Sequence, residues 1–405
     1  MTTNRDDFFR FVAQTSPEPM AIEVARAQGC VIIDKRGKEY LDFLSGIGVA
    51  SLGHTHPAVV QAVQAQAERY LHAMVYGEYI QEPQVHLARR LAEVTPDPLS
   101  VTYFTNSGTE AVEGALKTAR KYTGRTRFVS FVGSFHGDTF GALSVGGNPL
   151  YRTPFEPLLP SVTFLPFNDE AALSRIDETV AAVIIEPIQG EGGVRIPAPG
   201  FLPALRQRCR EVGALLIFDE VITGFGRTGK LFACEHWQVT PDILVLAKAL
   251  GGGMPLGAFV STPEIMATLS HSPALAHVTT FGGHPVCCAA GLASLNFMLE
   301  THLPQQAQEK GVALLARLQE LVGVGGFIAA RGRGLLIGMD FTTPEATKQF
   351  VQSCFTSGLI LGWTLHQDTV VRLAPPLIIS TAEIERAVTI MNQALHNRKG
   401  ETHGR

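Results

Sequence analysis

Three apolar runs end, one after another, at a charged residue, and this pattern constrains the fold more than any other feature. The runs VAAVII, ALLIF and DILVLA stop at Glu186, Asp219 and Lys248. Continuous β-branched and Leu-rich runs are typical of parallel strands buried on both faces. A single charged residue at a strand end is explained equally well by the start of a solvated loop and by a ligand site. Three of them predict a shared crevice, because ligands of open α/β sheets bind beyond the carboxyl ends of the strands.

The order of helical and strand-like segments predicts an α/β protein. Ahead of residue 56, GCVIIDKRGKEYLDFLSG indicates two short strands around the turn at Lys35–Lys38. From HPAVVQAVQAQAERYL, a predicted amphipathic helix, strand-like and helical stretches alternate, which indicates a mostly parallel sheet covered by helices on both faces. A helical stretch, three short strands and a closing helix follow. We expect three parts: an N-terminal segment at 1–55 that packs with the small domain, a large domain at 56–294 and a smaller α+β domain at 295–405.

The composition restricts the classes of partner. The chain has 405 residues, 45% of them hydrophobic and 17% charged, with a formal net charge of −4. This length can bury a sizeable core, and the absence of a basic run excludes nucleic acid as the main partner. No apolar stretch is long enough for a membrane span, and the N-terminus lacks a signal-peptide pattern. The six cysteines form no CxxC pair, so we expect reduced thiols, a cytoplasmic protein, no metal site and small-molecule partners.

A short β run enters a turn at Asn106–Gly108 and then a helix, in TYFTNSGTEAVEGALKTARKY. Gly108 permits close approach of a ligand to the backbone, and Thr109 offers a hydroxyl. The first N–H groups of the helix and its dipole then favour an anion such as phosphate. Ser107 and Glu110 also have the spacing of a capping box, which satisfies a helix start without any ligand. The two interpretations are compatible.

A second glycine-rich turn imitates a nucleotide site. GFGRTGKL, from Gly224, nearly spells a phosphate-binding loop, and Asp219 resembles the acid that holds magnesium in nucleotide hydrolases. That motif needs Ser or Thr after its lysine and a strand that leads directly into the turn. Leu231 supplies no oxygen, and the turn follows the aspartate. A phosphate-loop nucleotide hydrolase is therefore the disfavoured alternative.

Lys248 stands at a strand end and opens AKALGGGMPLGA. The glycines allow close backbone approach, and an apolar strand end lowers the pKa of the amine, so that neutral amine is available to attack an aldehyde. A lysine, a strand-end aspartate and a phosphate cradle together describe a pyridoxal phosphate site.

Nearly the whole chain resembles the class-III aminotransferases of the aspartate aminotransferase superfold, which is fold type I of the pyridoxal phosphate enzymes. The resemblance implies a large, mostly parallel sheet domain with a smaller α+β C-terminal domain, and pyridoxal 5'-phosphate as cofactor. The matching segments are NSGTEAVEGALKTAR, SFHGDTFGALS, IIEPIQGEGGV, LLIFDEVITGFGRTGKLFACEHW, PDILVLAKALGGGMPLGA and TTFGGHPVCCAA.

The resemblance also assigns roles. It implies that Lys248 binds the cofactor as a Schiff base and later moves the substrate proton, and that Asp219 pairs with the pyridinium nitrogen. It implies that Thr280 reaches a phosphate in the neighbouring subunit, so the protein is expected to be a homodimer or higher homo-oligomer with its sites at the interface. The other cofactor contacts that it implies are Gly108 and Thr109 at the phosphate, Phe135 and Val221 on the ring faces, Glu186 near the ring oxygen, and His136.

The substrate residues follow in the same way. Arg372 matches the arginine that clamps the α-carboxylate of glutamate or 2-oxoglutarate, a task that suits a forked guanidinium. Glu191 matches an acid that pairs with this arginine in relatives whose first substrate reacts through a remote amine. Asp138 and Tyr76 are expected to contact the substrate as well.

Two departures bear on the amino donor. Relatives acting on ornithine, acetylornithine or 4-aminobutyrate usually carry a basic residue where this chain has Asp138, and many carry Gln where it has Ile222. An acid fits a diamine better, and several segments resemble the putrescine aminotransferases most. We therefore expect an ω-aminotransferase acting by a ping-pong mechanism with 2-oxoglutarate, a diamine being the first choice of donor and acetylornithine or 4-aminobutyrate the second. A diaminopelargonate-type aminotransferase, an aminomutase or a racemase stays an alternative on the same scaffold.

Overall fold

Strands form the framework of the protein, for which a computed structural model describes residues 3–75 and 77–397. Their bounds are β1 Val24–Gln28, β2 Val31–Asp34, β3 Glu39–Asp42, β4 Val101–Thr105, β5 Arg127–Phe131, β6 Val162–Leu165, β7 Val180–Ile185, β8 Leu215–Asp219, β9 Ile243–Leu246, β10 Gly257–Ser261, β11 Phe327–Arg333, β12 Leu336–Phe341, β13 Leu359–Ile360, β14 Gly362–Trp363 and β15 Val370–Leu373.

Helices connect and cover the strands. Several begin at proline, which fits the first turn of a helix because its missing N–H would have no partner there. Their bounds are α1 Asn4–Phe11, α2 Ser45–Gly48, α3 Pro57–Arg69, α4 Glu82–Val94, α5 Gly108–Thr123, α6 Phe140–Ser144, α7 Pro149–Arg152, α8 Phe201–Val212, α9 Pro263–Ala267, α10 Pro285–Glu300, α11 Leu303–Gln319, α12 Pro344–Thr356 and α13 Thr381–His396.

A central sheet dominates the described part of the chain. Its strands lie in the order β4-β10-β9-β8-β7-β5-β6. Strands β5 to β9 pair in parallel, whereas β10 is antiparallel to both of its neighbours. The expectation of a mostly parallel α/β sheet is therefore confirmed.

Both faces of the central sheet are covered, as the three apolar runs predict. Every residue of β7, β8 and β9 is buried. Successive side chains of a strand point to opposite faces. Accordingly, Ala182 and Ile184 pack into the core that contains the α5 residue Val112, whereas Val183 and Ile185 pack into the core that contains Leu205 of α8. This double burial leaves the strand ends as the places where polar groups are exposed to a ligand.

Two smaller sheets complete the described residues, in the orders β1-β2-β3-β13 and β11-β12-β15-β14. Strand β3 pairs in parallel with β13, with Leu41 opposite Leu359, so the N-terminal segment is joined to the C-terminal part. Of the three short strands predicted after the helical stretch, the second, GLILGWTL, contains two strands, β13 and β14. Helix α10 crosses the proposed boundary at residue 294, and the division into domains stays a prediction.

Within residues 3–75 and 77–397, no single helix has the length and apolar character of a membrane span. The bent pair α10–α11, at 67°, meets those criteria together.

Candidate active site

A cavity of about 760 Å³ opens beyond the carboxyl ends of β7, β8 and β9 and at the N-terminus of α5. The three charged residues predicted from the strand ends, Glu186, Asp219 and Lys248, all line it. The predicted crevice therefore exists at the edge of the sheet where the parallel strands end.

Lys248 begins a short 3₁₀ turn, Lys248–Gly251, directly after β9. Its φ of 51° lies in the left-handed region, which is costly for a residue with a side chain and is typical of functional sites. Burial, followed by the positive charge of Arg372, lowers the pKa of Lys248 to about 8. Within the described residues the amine has no hydrogen-bond or ion-pair partner. It is therefore available to a ligand in the cavity.

The lowered pKa of Lys248 predicts a pH-dependent reaction with aldehydes. Below pH about 8 the amine is protonated and unreactive, and above it the amine is neutral, whereas an ordinary lysine would need pH above 10. We expect cofactor uptake by the cofactor-free protein, followed by absorbance, to accelerate with pH and to level off above a midpoint near 8. A midpoint near 10 would mean that the cavity does not lower the pKa of this lysine.

Asp219, the last residue of β8, is held by two neighbours. His136 Nδ1 lies 2.8 Å from its Oδ2, and Val221 N donates to its Oδ1 at 3.0 Å. Since a carboxylate only accepts, Nδ1 of His136 carries the hydrogen. His136 Nε2 is buried without a partner among the described residues. The pair thus presents an oriented, nearly buried carboxylate to the cavity.

Glu186 links the loops that follow β5 and β7. Its Oε1 accepts from Phe135 N at 2.9 Å, and its Oε2 accepts from Gly190 N at 2.8 Å. Burial raises its pKa to about 7, although the nearby His136 opposes the shift. The residue therefore fixes the backbone that carries Phe135, besides lining the cavity.

The start of α5 is capped much as the sequence predicts, with one difference. Ser107 Oγ accepts from Glu110 N at 3.3 Å, but the Glu110 carboxylate binds Asn106 N at 2.7 Å and does not reach the N–H of Ser107. The N–H groups of Gly108 and Thr109 have no acceptor among the described residues. These donors and the dipole of a long helix form an anion site that faces the cavity.

A second hydroxyl, which the sequence reasoning missed, stands beside Thr109. Thr139 Oγ1 lies 2.7 Å from Thr109 Oγ1 and donates to Glu113 Oε1 at 2.6 Å. Glu113 also accepts from the N–H groups of Gly141 and Ala142. Thr139 lines the cavity, and its presence in the matched segment SFHGDTFGALS was the available signal.

Space at the anion site is tight. A Cβ atom at Gly108 would lie 3.0 Å from both Cγ atoms of Val221, and one at Gly137 would lie 2.4 Å from Thr109 Oγ1. Gly137, whose φ is 118°, therefore requires glycine, whereas a side chain at Gly108 would press against Val221. Phe135 and Val221 both line the same cavity, as expected for groups that bracket a flat ring.

Arg372, on β15, lies behind the cavity wall and pairs with Glu191, which lines the cavity. Both side chains are nearly buried, at 2% and 7% exposure. Burial alone would raise the pKa of Glu191, but Arg372 and the N–H of Leu365 hold it below its ordinary value. Each of the two buried charges therefore has its counter-charge within the protein, and any other carboxylate that bound the arginine would have to displace Glu191.

The predicted residues divide into three groups. Asp138 is exposed at the mouth of the cavity, and Thr280 is exposed and lies outside the lining. Tyr76 lies outside the described residues. The lining residues that were predicted are Gly108, Thr109, Phe135, His136, Asp138, Glu186, Glu191, Asp219, Val221 and Lys248; those given no role in the site are Val49, Gly137, Thr139, Gly190, Ala247, Met254, Pro255 and Leu256.

Fold and site together define a cofactor-dependent enzyme that uses a lysine, an aspartate and a phosphate cradle. Residues 12–395 match the model of the class-III aminotransferases, and the chain belongs to this family. Its enzymes depend on pyridoxal phosphate, so the suspected family and cofactor are both confirmed.

Relatives support the assignment. The chain is 45% identical to the acetylornithine aminotransferase of Methanopyrus kandleri over 375 residues. This match covers 92% of this chain and 94% of that protein. The fold is similar to that of the ornithine aminotransferase of Toxoplasma gondii, whose structure has partial occupancy of the cofactor. The TM-score is 0.89 and the sequence identity is 31%, with 96% of this chain and 94% of that chain covered. The structure of an (S)-enantioselective ω-transaminase from Thermomicrobium roseum matches with a TM-score of 0.88 and 32% sequence identity, and the match covers 96% of both chains.

The residues present fit this cofactor. The free amine of Lys248, the oriented carboxylate of Asp219 and the unpaired N–H groups at Gly108 and Thr109 match the aldehyde, the ring nitrogen and the phosphate in chemical type. The turn of the nucleotide-like motif is buried from Gly224 to Gly229, and a Cβ atom added at Gly226 or Gly229 would meet Leu377 or Gln308, so this packing gives no support to a nucleotide site there.

Proposed function

We propose that this aminotransferase takes its amino group from a diamine and passes it to 2-oxoglutarate in two half-reactions of a ping-pong mechanism. The observation that carries the choice of donor is Asp138. It is exposed at the cavity mouth and has no hydrogen-bond or ion-pair partner among the described residues. An unpaired acid at that place attracts the distal ammonium of a diamine and repels a distal carboxylate.

The charges around the cavity favour the same donor. Among the described lining residues, the acids are Asp138, Glu186, Glu191 and Asp219, whereas Lys248 is the one lysine or arginine. While Glu191 engages Arg372, a donor carboxylate meets no free arginine among the described lining residues. A diamine needs no such cation.

The acceptor half-reaction depends on Arg372. When Glu191 moves away, the guanidinium fork is free to bind the α-carboxylate of 2-oxoglutarate through two parallel hydrogen bonds. Exchanging one carboxylate for another keeps the buried arginine paired, so Arg372 is not left as an uncompensated charge, and the remaining cost falls on Glu191. Because a substrate carboxylate can take the place of the Glu191 carboxylate on Arg372, the pair supports a site that accepts an amine first and a dicarboxylate second.

Two residues carry the chemistry. When bound, pyridoxal phosphate supplies an aldehyde that condenses with amines and a ring that withdraws electrons from the carbon that loses its proton. Lys248 Nζ, neutral above pH about 8, would accept that proton and hold it for return. The Asp219 carboxylate, oriented by His136, keeps the ring nitrogen protonated.

We further propose a homodimer in the cytoplasm with a role in amino-acid metabolism. Thr280 and the neighbouring apolar side chains of Leu275, Val278 and Phe281 are exposed in the single chain, the last three at 60%, 49% and 53%. A cluster of this kind is typical of a surface that another subunit covers.

Acetylornithine is the second candidate donor, favoured by the 45% identity to the aminotransferase named for it. An aminomutase, a racemase or a diaminopelargonate-type enzyme stays an alternative on the same scaffold. The first two need no oxo-acid acceptor, so stoichiometric formation of glutamate from 2-oxoglutarate separates them from an aminotransferase.

A donor panel tests the proposal. Putrescine, cadaverine, ornithine, acetylornithine, 4-aminobutyrate and β-alanine are compared with 2-oxoglutarate and with pyruvate as acceptors. We expect a diamine to give the highest kcat/KM and 2-oxoglutarate to be preferred over pyruvate. If 4-aminobutyrate exceeds every diamine, the role given to Asp138 is wrong, and if acetylornithine exceeds them, the second candidate replaces the first.

Replacing Asp138 by asparagine sharpens this test. We expect kcat/KM for the diamine to fall about 5- to 10-fold, a moderate loss because the residue is solvent-exposed. The value for 2-oxoglutarate should change little. Glu178→Gln is a matched control, since this exposed acid precedes β7 at the opposite end of the strand from the site.

A further inference from the structure

The hairpin that carries Arg372 also encloses Glu191. Strands β14 and β15 pair antiparallel, and two N–H groups of the connection between them donate hydrogen bonds to Glu191, one to its side chain and one to its backbone. Leu365 N donates to Glu191 Oε2 at 2.9 Å, and His366 N donates to the Glu191 carbonyl at 3.1 Å. The other carboxylate oxygen of Glu191 binds Arg372. One hairpin therefore contacts both carboxylate oxygens and the backbone of this residue.

The connection is itself held by Tyr151 of α7 and by the loop that follows β5. Tyr151 Oη donates to the Leu365 carbonyl at 2.8 Å, and its ring lies 5.2 Å from the His366 ring. His366 Nδ1 lies 3.1 Å from the Gly133 carbonyl, and it is the donor because a carbonyl only accepts. The His366 ring also meets the Phe135 ring edge to face at 5.9 Å.

These contacts matter because Glu191 is buried. When Arg372 binds a substrate carboxylate, Glu191 loses its counter-charge, and an unpaired buried carboxylate is costly. The hydrogen bond from Leu365 N stabilises the Glu191 carboxylate only while that carboxylate lies beside Arg372. The position of Leu365 N therefore changes the free-energy difference between this position of the carboxylate and one away from Arg372. The hairpin connection therefore acts on the equilibrium between the two arrangements.

We propose that Tyr151, Leu365 and His366 form a clasp that holds Glu191 on Arg372 and so sets the balance between the amine-binding and the oxo-acid-binding states of the site. This inference rests on the proposed function, since it requires that two half-reactions share Arg372. Tyr151 and His366 act through Glu191, so they are positioning residues. Loosening the clasp frees Arg372 for carboxylates at the expense of amines.

Tyr151→Phe removes one hydrogen bond of the clasp and keeps the ring. Each half-reaction of the holoenzyme is followed separately by stopped-flow absorbance, with putrescine and then with 2-oxoglutarate. We expect kcat/KM for putrescine to fall roughly 3- to 10-fold, while the value for 2-oxoglutarate is unchanged or rises. Tyr122→Phe is the matched control, because it loses a bond of 2.6 Å to Glu264 outside the cavity and should alter neither half-reaction.

Substitutions of His366 separate positioning from general structural damage. His366→Asn keeps an N–H group that reaches the Gly133 carbonyl, whereas His366→Ala does not. We therefore expect alanine to change the ratio of kcat/KM for putrescine to kcat/KM for 2-oxoglutarate, and asparagine to restore most of that ratio. Equal changes in both half-reactions, or no change in either, would overturn the clasp. A wild-type enzyme that fails to react with putrescine or with 2-oxoglutarate would instead overturn the proposed function, and the clasp with it.

Discussion

Replacing Lys248 by alanine is expected to lower kcat by at least ~10³-fold in both half-reactions, because the variant loses the amine to which we assign cofactor binding and proton transfer. The amine stands in the cavity without a partner and with a lowered pKa, so no other described residue is placed to substitute for it. Steady-state assays with any accepted donor measure the effect.

Lys230→Ala is the control for this prediction. Lys230 is exposed, lies in the glycine-rich turn that imitates a nucleotide site, and does not line the cavity. We expect its removal to leave kcat within about twofold, as for most surface substitutions. A Lys248→Ala protein that transaminates at the wild-type rate would show that the lysine has another task.

Asp219→Asn should be the second most damaging change, with a loss in kcat on the order of 10²- to 10³-fold. Asparagine has the shape of aspartate, and its one carbonyl oxygen can accept from His136 Nδ1 or from Val221 N but not from both, so one of these two bonds is lost while the site keeps its shape. It lacks the charge that keeps a ring nitrogen protonated, and this charge is worth most in a water-poor site. Absorbance and circular dichroism of the bound cofactor would verify that binding survives while turnover is lost.

The same Glu178→Gln variant controls for the loss of a carboxylate as such. If Asp219→Asn kept kcat within twofold of the wild type, with the cofactor bound, the charge of Asp219 would have no part in catalysis.

The central sheet and the strand-end residues were predictable because their causes are local. Parallel strands buried on both faces require continuous apolar runs, and the first polar residue after each run has to lie at the sheet edge. Glu186, Asp219 and Lys248 line one cavity for this reason. The anion site was predictable in the same way, from glycine and hydroxyl residues at a helix start.

Other parts of the site depend on contacts between distant segments, which no local pattern records. The bond from Leu365 N to Glu191 joins residues 174 apart, and the pair of hydroxyls at Thr109 and Thr139 joins residues 30 apart. The capping of α5 also differs from its motif, because the Glu110 carboxylate turns to Asn106 N. Backbone groups have no signature in the sequence, so the clasp emerges only when the fold brings the segments together.

The central claim is that Lys248 is the residue that binds the cofactor. Reduction of the holoenzyme with borohydride converts the bond between a lysine and the cofactor into a stable secondary amine, and mass spectrometry of a digest then identifies the modified residue. We predict that the phosphopyridoxyl group lies on Lys248 and that the visible absorption band disappears on reduction. A group found on another lysine, or a band that reduction does not abolish, would contradict the account.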